Sequence, residues 1–246
     1  MKVAAITGGG QGIGRAIAYR FAEAGYAISL CDLDIDAGDE AAAQIRARGG
    51  TALFRPADVA LAVDVETWMT ETERQLGCPD ILINNAGINI RKPLAELTLD
   101  DWRSVIDVDL TAAYALSRRA ALGMVKRGHG RIINIGSVLS VKGRASIPAY
   151  TAAKHGIAGL TKSFAAELGV SGVTCNAIAP GYFETEINRD LMANEAFVKF
   201  VNDRTPLRRW GKPEELAGAA LFLASPAASY VNGHVLAVDG GMTTTI

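Results

Sequence analysis

The stretch Val3-Ala4-Ala5-Ile6-Thr7-Gly8-Gly9-Gly10-Gln11-Gly12-Ile13-Gly14 decides the fold. An apolar run, VAAIT, leads without a break into a glycine cluster, and the cluster opens a segment of helical spacing over residues 12–24. A strand that is apolar on both faces belongs inside a parallel sheet covered by helices. Glycines between such a strand and a helix allow a tight turn. They also let a phosphate approach backbone N–H groups at the positive end of the helix. The order TGxxxGxG lacks the lysine of a Walker loop, which disfavours an NTPase.

Working outward, the same alternation runs through the chain. Strand-type runs fall at 3–7, 27–31, 51–55, 81–84, 131–136, 173–178 and 235–238. Helical periodicity fills 12–24, 36–48, 63–76, 100–126, 150–168 and 214–224. Right-handed crossovers then predict an α/β chain with one Rossmann-like, doubly wound, seven-stranded parallel sheet and helices on both faces. A single domain is expected over residues 1–246. Residues 182–211 break the rhythm and read either as a substrate lid or as a merely structural helix pair.

Composition narrows the function classes. The 246 residues are 49% apolar, which excludes disorder. Twenty-five Lys and Arg against 26 Asp and Glu give a net charge of −1, too little to gather nucleic acid or anionic lipid. Cys31, Cys78 and Cys175 form no CxxC pair and sit in or beside apolar runs, so small buried residues are expected, not a disulfide or zinc framework. His129, His155 and His234 have no metal-type spacing, and no metal is expected. The longest apolar stretch, 216–224, is too short for a membrane span, and the N-terminal run is too short for a signal peptide. A soluble cytoplasmic protein is expected. The unusual count is glycine, at 26, which calls for many tight turns or close backbone approaches.

Chemistry-bearing residues fall at strand ends. Asp32, 20 residues past Gly12, ends the second strand. A carboxylate there accepts from an adenosine ribose and repels a 2′-phosphate, although a turn or helix-cap aspartate would look the same. Tyr150 and Lys154 project from one helix face a turn apart, and Ser137 ends the fifth strand, where doubly wound sheets bind ligands.

The joint order of these motifs resembles the short-chain dehydrogenase/reductase family over essentially the whole chain. They are the TGxxxGxG loop, Asp58-Val59, Asn84-Asn85-Ala86-Gly87, Ser137…Tyr150-x-x-x-Lys154, Pro180-Gly181, Thr185 and Val238-Asp239-Gly240-Gly241. The resemblance implies an oxidoreductase that interconverts an alcohol and a ketone with a nicotinamide cofactor. It assigns Gly8, Gly10, Gln11, Gly12, Ile13 and Gly14 to the pyrophosphate turn and Asp58 and Val59 to the adenine. Asn85, Ala86 and Gly87 go to the adenosine side, and Pro180, Gly181 and Thr185 to the nicotinamide amide. Lys154 would hold the nicotinamide ribose. Asp32, with no Arg or Lys at position 33 and Gln at position 11, points to NAD over NADP. Asn176 reads instead as a backbone tie.

The expected catalytic set is Ser137, Tyr150, Lys154 and Asp109. A phenol titrates near 10, too high for a base at neutrality; Lys154 and an oxidised nicotinamide favour the phenolate, and about 4 kcal/mol of differential stabilisation brings it near neutrality. Ser137 would hold the substrate oxygen. Asp109 departs from the family, where most relatives have Asn supporting a water chain that carries protons from the lysine. Its main-chain carbonyl can preserve that relay, or its carboxylate can pair with Lys154 and weaken the lysine's effect on Tyr150.

Arg91, Lys92, Lys142 and Arg144 follow strand ends and give a cationic rim, with Arg91 and Arg144 as candidate carboxylate ligands. Solvated loop charges are the bland alternative. The stretch NNAGINIRKPLAEL and the RWGKPEEL…NGHVLAVDGG ending look like the gluconate 5-dehydrogenase and keto-deoxy-gluconate reductase branch, implying a sugar acid or polyol. A 3-oxoacyl-thioester reductase and a non-catalytic NAD-binding regulator are the competing readings. Alanines at 112, 113, 115, 120, 121, 152, 153, 158, 165 and 166 allow close helix packing. The resemblance implies a homotetramer with two kinds of isologous contact.

Overall fold

A computed structural model describes residues 1–244. Its central strands are β1 (Val3–Thr7), β2 (Ala27–Asp32) and β3 (Ala52–Pro56) on one side, and β4 (Ile81–Asn84), β5 (Gly130–Ile135), β6 (Val173–Pro180) and β7 (Val235–Val238) on the other. The sheet order is β3-β2-β1-β4-β5-β6-β7, and every pairing is parallel. Ile6 pairs with Leu30 on one side and with Ile83 on the other, so the strand order reverses around β1. The crevice beyond the strand ends at that reversal is where open α/β sheets bind ligands.

Alternation along the strands sends side chains into two cores. Ala4, Ile6, Ile28, Leu30, Ile83, Ile133 and Ile178 face helices α1 (Gly12–Glu23), α2 (Ile35–Ala47) and the C-terminal helix over Pro213–Ala224 through Ile17, Phe21, Ile45, Leu216 and Leu223. Ala5, Cys31, Leu82, Ile132, Val173 and Cys175 face α3 (Ala62–Gln75), α5 (Ala112–Arg127) and α6 (Pro148–Leu168) through Trp68, Met69, Leu116, Met124 and Leu168. This two-sided burial is the reason the strands carry apolar residues at successive positions.

Several details differ from the sequence reading. The helix expected over 100–126 is α4 (Leu99–Ile106), a π turn (Asp107–Thr111) and α5 in succession. The wider turn carries Asp109, which is buried. Helix α6 begins at Pro148, since proline suits a first helical position where no intrahelical N–H bond is needed. Cys78 is exposed, contrary to expectation: it precedes β4 on the outer turn after α3, while Cys31 and Cys175 are buried. The 182–211 segment holds a 3-10 turn (Glu186–Asn188), α7 (Arg189–Met192) and α8 (Glu195–Arg204), leaving α9 for Pro213–Ala224. No helix among the described residues is long and apolar enough to cross a membrane, and no group of three or more His, Cys, Asp or Glu among them could hold a metal ion.

Candidate active site

The turn after β1 is shaped by glycine where a side chain is excluded. Gly8 and Gly12 have φ of +61° and +53°, a left-handed backbone that a side chain would strain. A Cβ on Gly14 would collide with the Gly8 carbonyl oxygen. The first turn of α1 has Gln11 as N-cap with no side-chain cap bond, and no acidic residue follows. Its orphan N–H groups and helix dipole therefore suit an anion brought from outside the chain.

This turn lines a cleft of about 430 Å³ over the strand ends. Of the residues expected at a cofactor, Gly8, Gln11, Gly12, Ile13, Asp32, Asp58, Val59, Asn85, Ala86, Gly87, Tyr150, Lys154, Pro180, Gly181 and Thr185 all line it. Gly10 and Gly14 stand behind the wall and shape the turn. The Gly10 N–H donates to Asp32 Oδ2 at 2.9 Å. Asp32 Oδ1 accepts from the Asp34 N–H at 3.1 Å, and Asp34, not Asp32, caps α2. Asn85 is also structural: its amide donates to the carbonyls of Thr7 and Gly8 at 2.9 Å and ties β4 to the glycine turn. Asn176 does tie backbone, donating to Val231 O and accepting from His234 N.

Ser137, Tyr150 and Lys154 meet at the far end of the cleft, where β5 ends and α6 begins. Ser137 Oγ accepts from the Leu139 N–H at 3.1 Å and lines the cleft together with the Tyr150 phenol. Lys154 Nζ stands 5.3 Å from the Tyr150 ring centre. Nζ donates to the Ile135 carbonyl at 3.1 Å and lies 3.1 Å from Asp109 Oδ2. The carboxylate pairing foreseen as one of two possibilities is thus present.

Burial pushes the Tyr150 phenol above its ordinary range; Lys154, Ser137 and Arg91 favour the phenolate and Asp109 opposes it. Lys154 thus acts in the expected direction, toward the phenolate. For Lys154, burial disfavours the ammonium, but Asp109 and Tyr150 outweigh it and hold its pKa above the ordinary value. Burial raises the Asp109 carboxyl, with Lys154 and the Ile88 N–H pulling the other way.

The cationic rim is smaller than expected. Arg91 and Arg144 line the cleft. Lys92 does not, because its ammonium is fixed by both oxygens of Asp101 at 2.8 Å, which with Thr98 hold that carboxyl at about 2. Lys142 is also absent from the lining. Arg144 donates to the Tyr182 hydroxyl at 2.8 Å and lies 4.7 Å over the Phe197 ring.

Asn89, Tyr182, Glu186 and Asn188 also line the cleft; the sequence placed their segments at its rim and lid without singling out these residues. The buried Asn89 carboxamide oxygen has no hydrogen-bond partner among the described residues, which suits a hydroxyl-bearing ligand. Its place directly after the NNAG stretch was the one available signal.

The geometry has close counterparts among known proteins. A family model described as Enoyl-(Acyl carrier protein) reductase matches residues 8–243. The gluconate 5-dehydrogenase of Gluconobacter oxydans is 41% identical over 246 residues, 99% of this chain and 95% of that protein. The 3-oxoacyl-[acyl-carrier-protein] reductase of Synechocystis sp. is 40% identical over 243 residues, 98% of this chain and 96% of that protein. A crystal structure of a gluconate 5-dehydrogenase from Burkholderia cenocepacia J2315, in complex with NADP and tartrate, matches with a TM-score of 0.95 at 43% identity. That match covers 100% of this chain and 96% of the other.

Proposed function

The chain belongs to the short-chain dehydrogenase/reductase family, and on that premise we propose that it interconverts a secondary alcohol and a ketone of a sugar acid with NAD(H). The observation that carries the reading is the convergence of Ser137, Tyr150 and Lys154 at the end of a cleft whose other end has an uncapped helix N-terminus. The residues fit a dinucleotide: α1 offers unpaired N–H groups to a pyrophosphate, and Asp32, held by Gly10 and Asp34, offers acceptors to a ribose diol.

When bound, the nicotinamide supplies or accepts the hydride. The chain's own residues handle the proton. On reduction, the Tyr150 phenol donates to the oxygen that becomes the alkoxide; on oxidation, the phenolate takes the alcohol proton. The Ser137 hydroxyl fixes that oxygen, and the buried Lys154 ammonium sits where phenolate charge develops. Arg91 and Arg144 face the cleft and suit a substrate carboxylate, in keeping with the gluconate-named relatives. The 182–211 segment covers the site as a lid, and the enzyme works as a homotetramer.

The test is a panel of gluconate, 5-ketogluconate, a polyol and a 3-oxoacyl thioester, read by NADH absorbance, with Tyr150→Phe beside the parent. Turnover of a sugar acid, reduced at least about 100-fold in the variant, is the expected result. Turnover of the thioester alone would favour the acyl reductase reading, for which the Synechocystis relative speaks. Unchanged turnover in Tyr150→Phe would remove the acid/base role.

A further inference from the structure

Asp109 sits on the π turn between α4 and α5 and is 2% exposed; Lys154, which it faces, is 4% exposed. One carboxylate oxygen accepts from the Ile88 N–H at 2.7 Å, and the other lies 3.1 Å from Lys154 Nζ. The loop after β4 closes over this carboxylate, since a Cβ on Gly87 would come within 3.1 Å of Oδ2. Beside the pair is a small cavity of about 10 Å³, at most one water in size. Asp109 and Lys154 are the charged residues among those lining it, and the Asn84 carboxamide oxygen in the same lining has no hydrogen-bond partner among the described residues. The ion pair is therefore little screened, and a charge on one member is felt strongly by its neighbours.

We propose that Asp109 is a positioning residue that holds and half-neutralises the Lys154 ammonium, withholding positive charge from Tyr150 and setting the pH range in which the tyrosine exchanges its proton. The proposal rests on the acid/base reading of Tyr150 given above. An amide at position 109 could keep the Ile88 bond but would carry no charge. The charged groups that face the phenol are Lys154 from its own helix, Asp109 from the π turn and Arg91 from the loop after β4; from the β5 end it meets the neutral Ser137 hydroxyl. Asp109 alone among them opposes phenolate formation. Its presence biases the site toward proton donation, and hence toward reduction, near neutrality.

The sign follows directly. Oxidation needs the phenolate and reduction the phenol. Removing the carboxylate charge stabilises the phenolate, so the acid limb of the oxidation profile and the alkaline limb of the reduction profile both move to lower pH. For Asp109→Asn the expected displacement is about one pH unit, seen as roughly tenfold faster oxidation on the acid side of the parent's limb. Asp109→Glu, which restores the charge, should return the limb toward the parent position.

A second readout needs no turnover: NMR titration of ring-labelled tyrosine in the cofactor-free protein, with Tyr150 assigned by its absence in Tyr150→Phe. The Tyr150 resonance should titrate at lower pH in Asp109→Asn, with thermal melting confirming that the variant is folded. A limb and a resonance that stay put, or move upward, overturn the proposal while leaving the tyrosine mechanism intact. Should Tyr150→Phe retain turnover, the acid/base reading falls, and the NMR titration alone decides what Asp109 does to the phenol. If Asp109→Asn does not fold, the proposal is overturned in favour of a purely structural ion pair unless the folded Asp109→Glu protein keeps the parent limb.

Discussion

At Asp32 both carboxylate oxygens already accept a backbone N–H, from Gly10 and from Asp34, so the group is fixed before any ligand arrives. A carboxylate has about four acceptor directions, and two remain for a ribose diol. The adjoining lining residues are Leu33 and Asp34, while the cations of the cleft, Arg91, Arg144 and Lys154, come from the segments that form its far end. A 2′-phosphate at this end would meet two carboxylates. NADH should therefore give at least tenfold higher kcat/KM than NADPH, about 1.4 kcal/mol. Asp32→Asn, which keeps an acceptor for Gly10, should bring the ratio toward parity. A tenfold preference for NADPH in the parent would refute the assignment, and the NADP in the Burkholderia structure makes that comparison pointed. Residues of this kind were legible because their chemistry is tied to a strand end. Asn89 and Tyr182 were not, because only the folded loops bring them to the cleft.

At the scale of elements, the seven strands were legible within a residue or two, since two-sided apolar runs have one stable place in a parallel sheet. The 182–211 segment was not, because its order comes from aromatic residues distant in sequence. Its ends are joined by a bridge between Phe183 and Gly211, with Glu184 N donating to Gly211 O and Gly211 N to Tyr182 O. Above that joint the Tyr182 ring packs on Phe197 and Trp210, and Phe197 stacks on Phe200. Arg144 spans from the loop before α6 to Tyr182 and Phe197, so the segment is latched to the side of the cleft that carries the expected substrate cations. Each ring pair contributes about 0.5–1.5 kcal/mol and the cation–π contact about as much. Phe197 does not line the cleft, so Phe197→Ala tests the latch without removing a cleft group. Faster limited proteolysis within 182–211 and a several-fold higher KM are expected. Parent-like proteolysis and KM would make the segment a structural helix pair.

For the whole molecule, the alanines of α5 and α6 divide between the chain's own cores and its surface, where Ala115, Ala152 and Ala158 are half-buried and Ala166 is exposed. Ala112, Ala113, Ala120, Ala121, Ala153 and Ala165 are buried in the chain's own cores, where α5 and α6 pack on the sheet. What α5 turns outward is Tyr114, Leu122 and Val125, large apolar side chains that are 50%, 56% and 40% exposed in the single chain. At the end of the sheet, β7 pairs with β6 and is the edge strand among the described residues, and unpaired edges are commonly covered. Phe222 and Tyr230 are exposed nearby on α9 and the turn that follows it. Two separate faces, each repeated by a two-fold axis, would assemble the proposed four chains with closed symmetry. Sedimentation at micromolar concentration should give a tetramer. Leu122→Glu should then give dimers, not monomers, because it places charge in the α5 face and leaves the β7 edge intact. A monomeric parent would exclude the assembly, and a variant that stays tetrameric would move the first interface away from α5.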